Sequence, residues 1–399
     1  MKVSFPPFNQ IRGETHMVRL RATAISASVV LALVVAAGCS APGGDDKKAG
    51  DDSGPIKIAL VDAQSGQLSS LGAWELKGAK LAVTEWNAAG GINGRQIQLD
   101  VFDDQGDPTT GTNLARKIDS EGYIAMLGTA ESAVTIAMAP TLKTAEIPNI
   151  TSGQSPGLVA VGSEFLFLNG PTSTTYDETL AKYIVDQQGI KDIALITNNG
   201  SYGKGEHDAF TKALKTRNVT PLVDQVVTAD QKDFSAALTT IRQKNPKLIF
   251  LGAEEVESGL IVKQARDLGI TVPFAGAAPQ GTPVFLDTAG AKNAEGTIVS
   301  SPYLSNDINE ASKKFATAYK AAYNEEAELH GAKAYDGAQI LLTALKSSNV
   351  ASGKPLADAI RGTKYQGLLG SFAFDNTGVG IFATSIGKIE NGKLTAASS

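Results

Sequence analysis

Gly153-Gln154-Ser155-Pro156-Gly157 has the Gly-x-Ser-x-Gly spacing of a nucleophile elbow, the tight turn that exposes a serine for acyl transfer. The chemistry fails one residue later. An elbow uses the backbone N–H after the serine to stabilise an oxyanion, and Pro156 has none. The segment also reads as opening toward a loop, so hydrolysis is not expected. His207 and His330 stand in helical contexts with no second ligand three or four residues on, so no metal site is expected. Gly200-Ser201-Tyr202-Gly203-Lys204-Gly205 is glycine-rich but lacks the spacing of a phosphate loop and its Ser/Thr after the lysine. Glu254 and Glu255 could form a carboxylate pair, but adjacent side chains are expected to diverge, and nothing else supports glycoside hydrolysis. The residue types point to a protein that is not an enzyme and needs no cofactor.

These residues sit between elements with a regular rhythm. Ile56–Asp62 reads as a buried strand and Ala73–Ala89 as a helix ending at Gly90-Gly91. Strands at 97–103, 123–128 and 148–152 alternate with helices at 108–121 and 132–145. The pattern then restarts, with helices at 175–188, 204–217, 234–244 and 256–268 and strands at 192–197, 220–227, 248–251 and 272–274. Such alternation makes doubly wound parallel sheets, and there are too many units for one sheet, so two α/β lobes are expected. No internal repeat of fixed period is visible. Ligands of open α/β sheets sit beyond the carboxyl ends of the strands. Here those ends carry small polar residues, such as Gln64-Ser65-Gly66 and Thr151 to Ser155.

The N-terminus has chemistry of another kind. Arg19 and Arg21 precede an almost purely apolar run, Ala22 to Ala37, that closes on Gly38-Cys39. A basic flank, a short apolar core and small residues describe a secretory signal over 1–38, and Met17, just before the basic flank, is the expected true start. Cys39 is the only cysteine, so it cannot form an internal disulfide. Its setting resembles a bacterial lipobox, in which the cysteine becomes the lipidated first residue; the alternative is an ordinary signal peptide with an incidental cysteine. Residues 39–55 read as the anchor and a flexible tether, about 15 residues able to reach about 50 Å. A net charge of -5, with no basic run bearing interleaved aromatics, gives no reason to expect nucleic acid.

Several segments in order resemble the branched-chain-amino-acid type of periplasmic binding protein, the leucine-binding-protein-like components of ABC transporters, here in lipoprotein form. They are Asn87-Ala88-Ala89-Gly90-Gly91-Ile92-Asn93-Gly94-Arg95, Asp103-Asp104-Gln105-Gly106-Asp107-Pro108, Ile147-Pro148-Asn149-Ile150, Tyr202-Gly203-Lys204-Gly205, Asp233-Phe234-Ser235 and Tyr335-Asp336-Gly337. The resemblance spans about residues 55–390. It implies a type I binding-protein fold of two doubly wound parallel-sheet lobes joined by three crossovers. Lobe one would be 56–170 plus 301–380, and lobe two 171–300 plus 381–399. It also implies a small polar ligand such as an amino acid, held by hinge closure in a monomer and delivered to an ABC permease of the branched-chain amino acid type. A sensor feeding a membrane receptor or kinase is the alternative, and the sequence does not separate them.

The resemblance assigns a site. Ser132 falls on the family's carboxylate-binding serine, and Gly153 and Ser155 on the pair after strand four. Ser132 also reads as a helix N-cap, and one hydroxyl can serve both roles. Tyr202 is the second-lobe residue that closes over ligand; otherwise it is an exposed loop aromatic. The family's acid opposite the ligand ammonium falls on Ala278, which has no charge, and Leu71 replaces an aromatic contact. Glu131 and Glu254, with Glu255, either supply the missing charge or face solvent. Leucine, isoleucine and valine are therefore disfavoured.

Overall fold

The computed structural model describes residues 54–301, 303 and 309–397. The signal and Cys39, with nearly all of the tether, lie outside the described residues. Five parallel strands form the first sheet: β1 Ile56–Asp62, β2 Ile97–Asp103, β3 Ala125–Leu127, β4 Asn149–Thr151 and β5 Leu166–Leu168, in the order β2-β1-β3-β4-β5. The second sheet continues with β6 Ile193–Asn198, β7 Val223–Val227, β8 Leu248–Gly252, β9 Phe274–Gly276 and β10 Ile298–Ser301. Its parallel part runs β7-β6-β8-β9-β10, and a C-terminal antiparallel hairpin, Ser385–Glu390 and Lys393–Ala396, closes the edge at β10. The two sheets thus share one topology although the sequence carries no repeat.

Continuous apolar runs make the central strands. Ile58 to Val61 in β1 and Leu248 to Leu251 in β8 are fully or almost fully buried, as befits parallel strands covered on both faces. The chain passes from the first sheet to the second after β5. It returns with the helices Glu310–Tyr323 and Leu329–Ser347, and crosses again to the C-terminal hairpin. The core on one face of the first sheet joins Ile58, Leu60 and Phe167 to Phe315, Ile340 and Leu341. The second layer packs from its own contiguous segment, joined by Ile389 and Leu394 of the hairpin.

A polar tie fastens the helix Ser69–Ala88 and the helix Leu329–Ser347 to the end of β4. Ser152 donates its hydroxyl to Glu75, and Lys333 donates to the Ser152 carbonyl at 2.7 Å. Glu75 and Lys333 are almost wholly buried, and burial brings the Lys333 ammonium down to about 8 against the pull of Glu75.

Element ends depart from the sequence reading by a few residues, with three local corrections. A one-turn helix, Gly157–Ala160, follows Ser155 where a loop was expected, begun by Pro156 in helical backbone geometry. The helix expected over 175–188 ends as an α-helix at Ala181 and continues as a wider π-helical stretch to Gln187. The second-lobe helix begins at Ser201, not Lys204, so Tyr202 lies in its first turn.

Candidate functional site

In both sheets the strand order reverses about the first strand, between β1 and β3 and between β6 and β8. A crevice opens at such a switch point, beyond the strands' carboxyl ends. The two crevices face each other and enclose a cavity of about 200 Å³. The first layer contributes Gln67, Leu68, Ser70 and Leu71 after β1, Gly106 after β2, and Glu131 and Ala133 after β3. The second contributes Asn198, Gly200, Ser201 and Tyr202 after β6, Ala229 and Asp230 after β7, and Glu254 to Glu257 after β8, with Val284 beside them.

The loops meet directly. Gln67 donates to Asp230 at 3.2 Å and accepts from Lys232. Ser155 donates its hydroxyl to the Ser201 carbonyl at 2.9 Å. His330 of the first layer and Glu255 of the second share a hydrogen bond of 2.9 Å, while the His330 ring stacks on Trp74 at 6.1 Å.

The Tyr-Gly-Lys-Gly segment has a packing logic. A Cβ on Gly203 would lie 2.1 Å from Asn198 Oδ1, and one on Gly205 would lie 2.8 Å from the Pro156 ring. Both separations are far inside contact distance, so glycine lets this helix approach the β6 turn and the Ser155 loop together. That approach seats Tyr202 against the cavity with only 5% of its surface exposed. Its hydroxyl makes no hydrogen bond of ordinary geometry, and burial raises its pKa well above the usual tyrosine range.

The structure brings Leu71, Glu131, Tyr202 and Glu254 together as cavity lining. Ser132, Gly153 and Ser155 are close to one another, buried and engaged within the protein, and are not among the residues lining this cavity. The Ser132 hydroxyl accepts from Ser155 N at 3.3 Å, and Ser155 Oγ accepts from Gly157 N at 3.2 Å. Ala278 sits in a short helical turn on another cavity, beside Leu329 and Leu394. Ser132 is not the helix cap. Glu131 holds that position, its carboxylate accepting from Ala133 N at 3.0 Å, and Ser132 is the first helical residue. Tyr202 is not an exposed loop aromatic. Glu254 and Glu255 do not diverge, because both line the cavity at the start of the helix Glu255–Asp267.

Burial pushes the Glu131 carboxyl up to about 7, with the charges of Glu255 and Asp104 adding to it and the Ala133 N–H opposing. Burial, then the charges of Glu131 and Glu255, raise Glu254 well above the usual carboxylate range. Glu131 and Glu254 line the cavity from opposite layers, near enough for the Glu131 charge to act on Glu254. Burial alone would lower His330, but the bond and charge of Glu255 outweigh it and raise its pKa. Deeper in the second layer Asp177 and Glu206 are wholly buried, their carboxylate oxygens without ordinary hydrogen bonds; burial pushes Glu206 up to about 7 and Asp177 well above its usual value. No group of three or more His, Cys, Asp or Glu among the described residues is arranged to hold a metal ion.

Asp230, Asn198, Glu257 and His330 did not emerge as site residues from the sequence. The signal for the first three was positional, since each ends or closely follows β6, β7 or β8. His330 reaches the site from an element distant in sequence, and nothing local marks it.

A family model described as periplasmic binding protein matches residues 55–393. The Leu/Ile/Val-binding protein BraC3 of Rhizobium johnstonii is 28% identical over 346 residues, 86% of this chain and 94% of that protein. The Leu/Ile/Val-binding protein of Escherichia coli is 28% identical over 325 residues, 81% of this chain and 87% of its own length. Among solved structures, the branched-chain amino acid transporter substrate-binding protein LivJ of Streptococcus pneumoniae, in complex with isoleucine, superposes with a TM-score of 0.81 at 29% identity, covering 86% of this chain and 98% of LivJ.

Proposed function

Because this chain belongs to the periplasmic binding protein family, a family of solute binders and not of enzymes, we propose that it is an extracytoplasmic lipoprotein that captures a small polar metabolite of the amino-acid kind. It hands that metabolite to an ABC permease of the branched-chain amino acid type. The observation that carries this reading is the cavity of about 200 Å³ built jointly by the switch points of two sheets. A site split between two layers is made by bringing them together, and its volume, below the range of pockets for drug-sized ligands, fits one small molecule. In this reading residues 56–170 with 301–380 move as one body and 171–300 with 381–399 as the other, and the protein acts as a monomer.

Ligand is expected to draw the open form into the closed one by binding the closed form better. The measurement is small-angle scattering with and without the compound that gives the largest thermal shift in a panel of amino acids, amides, organic acids, sugars and polyamines. The radius of gyration should fall at saturation, and an unchanged curve would sink the hinge.

Anchoring rests on Cys39 and the apolar run before it. Among the described residues no helix is long and apolar enough to cross a membrane. Acyl chains on Cys39 would give a stable attachment, since more than one chain suffices for it. Cys39→Ser is expected to move the protein from the membrane fraction to the soluble one, or to leave the signal uncleaved. A processed Cys39→Ser protein still wholly in the membrane fraction would refute lipidation.

The relatives are named for leucine, isoleucine and valine. This chain's cavity is more acidic than a neutral side chain needs, and the ligand proposed is a polar one.

A further inference from the structure

Five carboxylates line the cavity, Glu131, Asp230, Glu254, Glu255 and Glu257, and no lysine, arginine or histidine does so among the described residues. Two of the five are answered by the protein. Glu257 accepts from Asn198 Nδ2 and from Asp230 N, and Glu255 pairs with His330. Asp230 stands exposed at the mouth, where water screens it, and accepts from Gln67. Glu131, held otherwise only by the Ala133 N–H, and Glu254 remain, and they line the cavity from opposite layers. Two further polar groups border the same space. One carboxylate oxygen of Glu255, a residue 1% exposed, lacks a hydrogen bond of ordinary geometry, and so does the buried hydroxyl of Tyr202, whose acidic neighbour is Glu206.

Two ionised carboxylates brought together in a closing, water-poor cleft repel strongly. Closure therefore needs either a proton between them or a cation. An ammonium or guanidinium placed there converts the repulsion into two charge-assisted hydrogen bonds, with Glu255 and Tyr202 able to receive further donors.

We propose that the ligand is a small organic cation of net positive charge, such as a basic amino acid or a diamine, whose ammonium or guanidinium group is clamped between Glu131 of the first layer and Glu254 of the second. The proposal rests on the solute-capture reading and names its ligand class. Glu131 and Glu254 are then the gate as well as the contact, because their repulsion holds the layers apart until the cation arrives. A neutral branched-chain amino acid would satisfy one charge with its ammonium and bring a carboxylate into a cavity whose every ionisable lining carboxylate opposes it.

The test is calorimetry and solution scattering on the mature chain with lysine, arginine, 1,4-diaminobutane, leucine and glutamate, near pH 8. At least one of the three cations should bind about 100-fold or more tighter than leucine and close the protein. The groups facing the ligand are Glu131, Asp230, Glu254, Glu255 and Glu257, with His330 behind Glu255 and Asp104 near Glu131. Glu131 and Glu254 carry raised pKa values with the two layers in contact as here, so near pH 6 cation binding should release protons, read as a heat that varies with the ionisation enthalpy of the buffer. Glu131→Gln and Glu254→Gln, each checked for an intact thermal transition, should each weaken the cation at least about 10-fold and abolish part of that proton release. Closure on leucine or glutamate in preference to the cations overturns the charge assignment and leaves solute capture standing. Glutamine variants that bind the cation as well as wild type overturn the clamp. A protein that closes on none of the five overturns the cation class and the amino-acid-like ligand together.

Discussion

Lys333→Met is expected to lower the free energy of unfolding by about 3–5 kcal/mol, the usual cost of removing one partner from a buried charged network. Methionine keeps the volume of the stem, so the loss comes from the charge. Lys333 is 1% exposed and its ammonium bonds the Ser152 carbonyl, while the Ser152 hydroxyl bonds Glu75, itself 2% exposed. Without the ammonium, Glu75 is left in a dry setting among the acidic groups Asp62, Asp104 and Glu328, with the His330 ring as its basic neighbour. The double variant Glu75→Gln/Lys333→Met should recover much of the loss, because it removes the uncompensated charge along with its partner. Urea denaturation of the four proteins of the cycle gives the coupling. Additive losses in the double variant would show that the two groups do not depend on each other.

A second large effect concerns acid. Most proteins lose stability when their carboxylates are protonated, but Asp177 and Glu206 are buried without ordinary hydrogen bonds and have raised values. In the folded protein Glu206 keeps its proton up to about pH 7. In the unfolded chain a glutamate releases it near pH 4.3. Between those values the folded state holds the extra proton, so stability falls as pH rises across that window, by up to about 1.4 kcal/mol per pH unit for each such group. Below the window the ordinary behaviour returns, since Glu178 is held below its usual value by Arg217 and Asp107 by the Thr110 N–H and hydroxyl. The ligand-free protein should therefore show its highest melting temperature near about pH 5 and a lower one at pH 8. Asp177→Asn with Glu206→Gln should make the fall shallower, leaving the part due to Glu328 and Asp336, which burial also raises to about 7. A melting temperature that climbs steadily from pH 5 to 8 would show that these carboxyls are ionised in the folded state.

The layered plan was legible because buried parallel strands are short continuous apolar runs, as in Ile56–Asp62 and Leu248–Gly252. Shorter strands were not. Leu166–Leu168 has three residues, too few to carry a period, and it is fixed by pairing with β4 and a bridge to Val379. The C-terminal hairpin alternates buried and exposed residues weakly, and its place at the edge of β10 is a long-range fact. At the site, Leu71, Tyr202, Glu131 and Glu254 were reached through the family resemblance, whereas the strand-end rule alone pointed to segments such as Gln64 to Gly66 and Thr151 to Ser155, which are not among the residues lining the cavity. Which residue caps the helix Ser132–Thr144 could not be read, since Glu131 and Ser132 both have capping side chains and only the backbone angles choose between them. The convergence of Glu254 and Glu255 on one cavity was hidden for a related reason. Glu254 precedes the helix in extended geometry, with φ -65° and ψ 168°, so the rule that neighbouring helical residues point apart does not apply.

The first sheet is complete in strands by Leu168, yet the helix Ser69–Ala88 shares the cover of one of its faces with helices that come after residue 309. A chain made from its N-terminus thus carries a finished set of strands with a half-covered apolar flank until its last quarter arrives, whereas the second layer has nearly all it needs in one stretch. Long sequence separation between partners slows folding. For an exported chain the delay keeps the front of the molecule threadable while the rest is still being made. It also sets a length below which no fragment can hold together: a chain stopped before the helix Leu329–Ser347 would carry a partly uncovered sheet and be prone to aggregate.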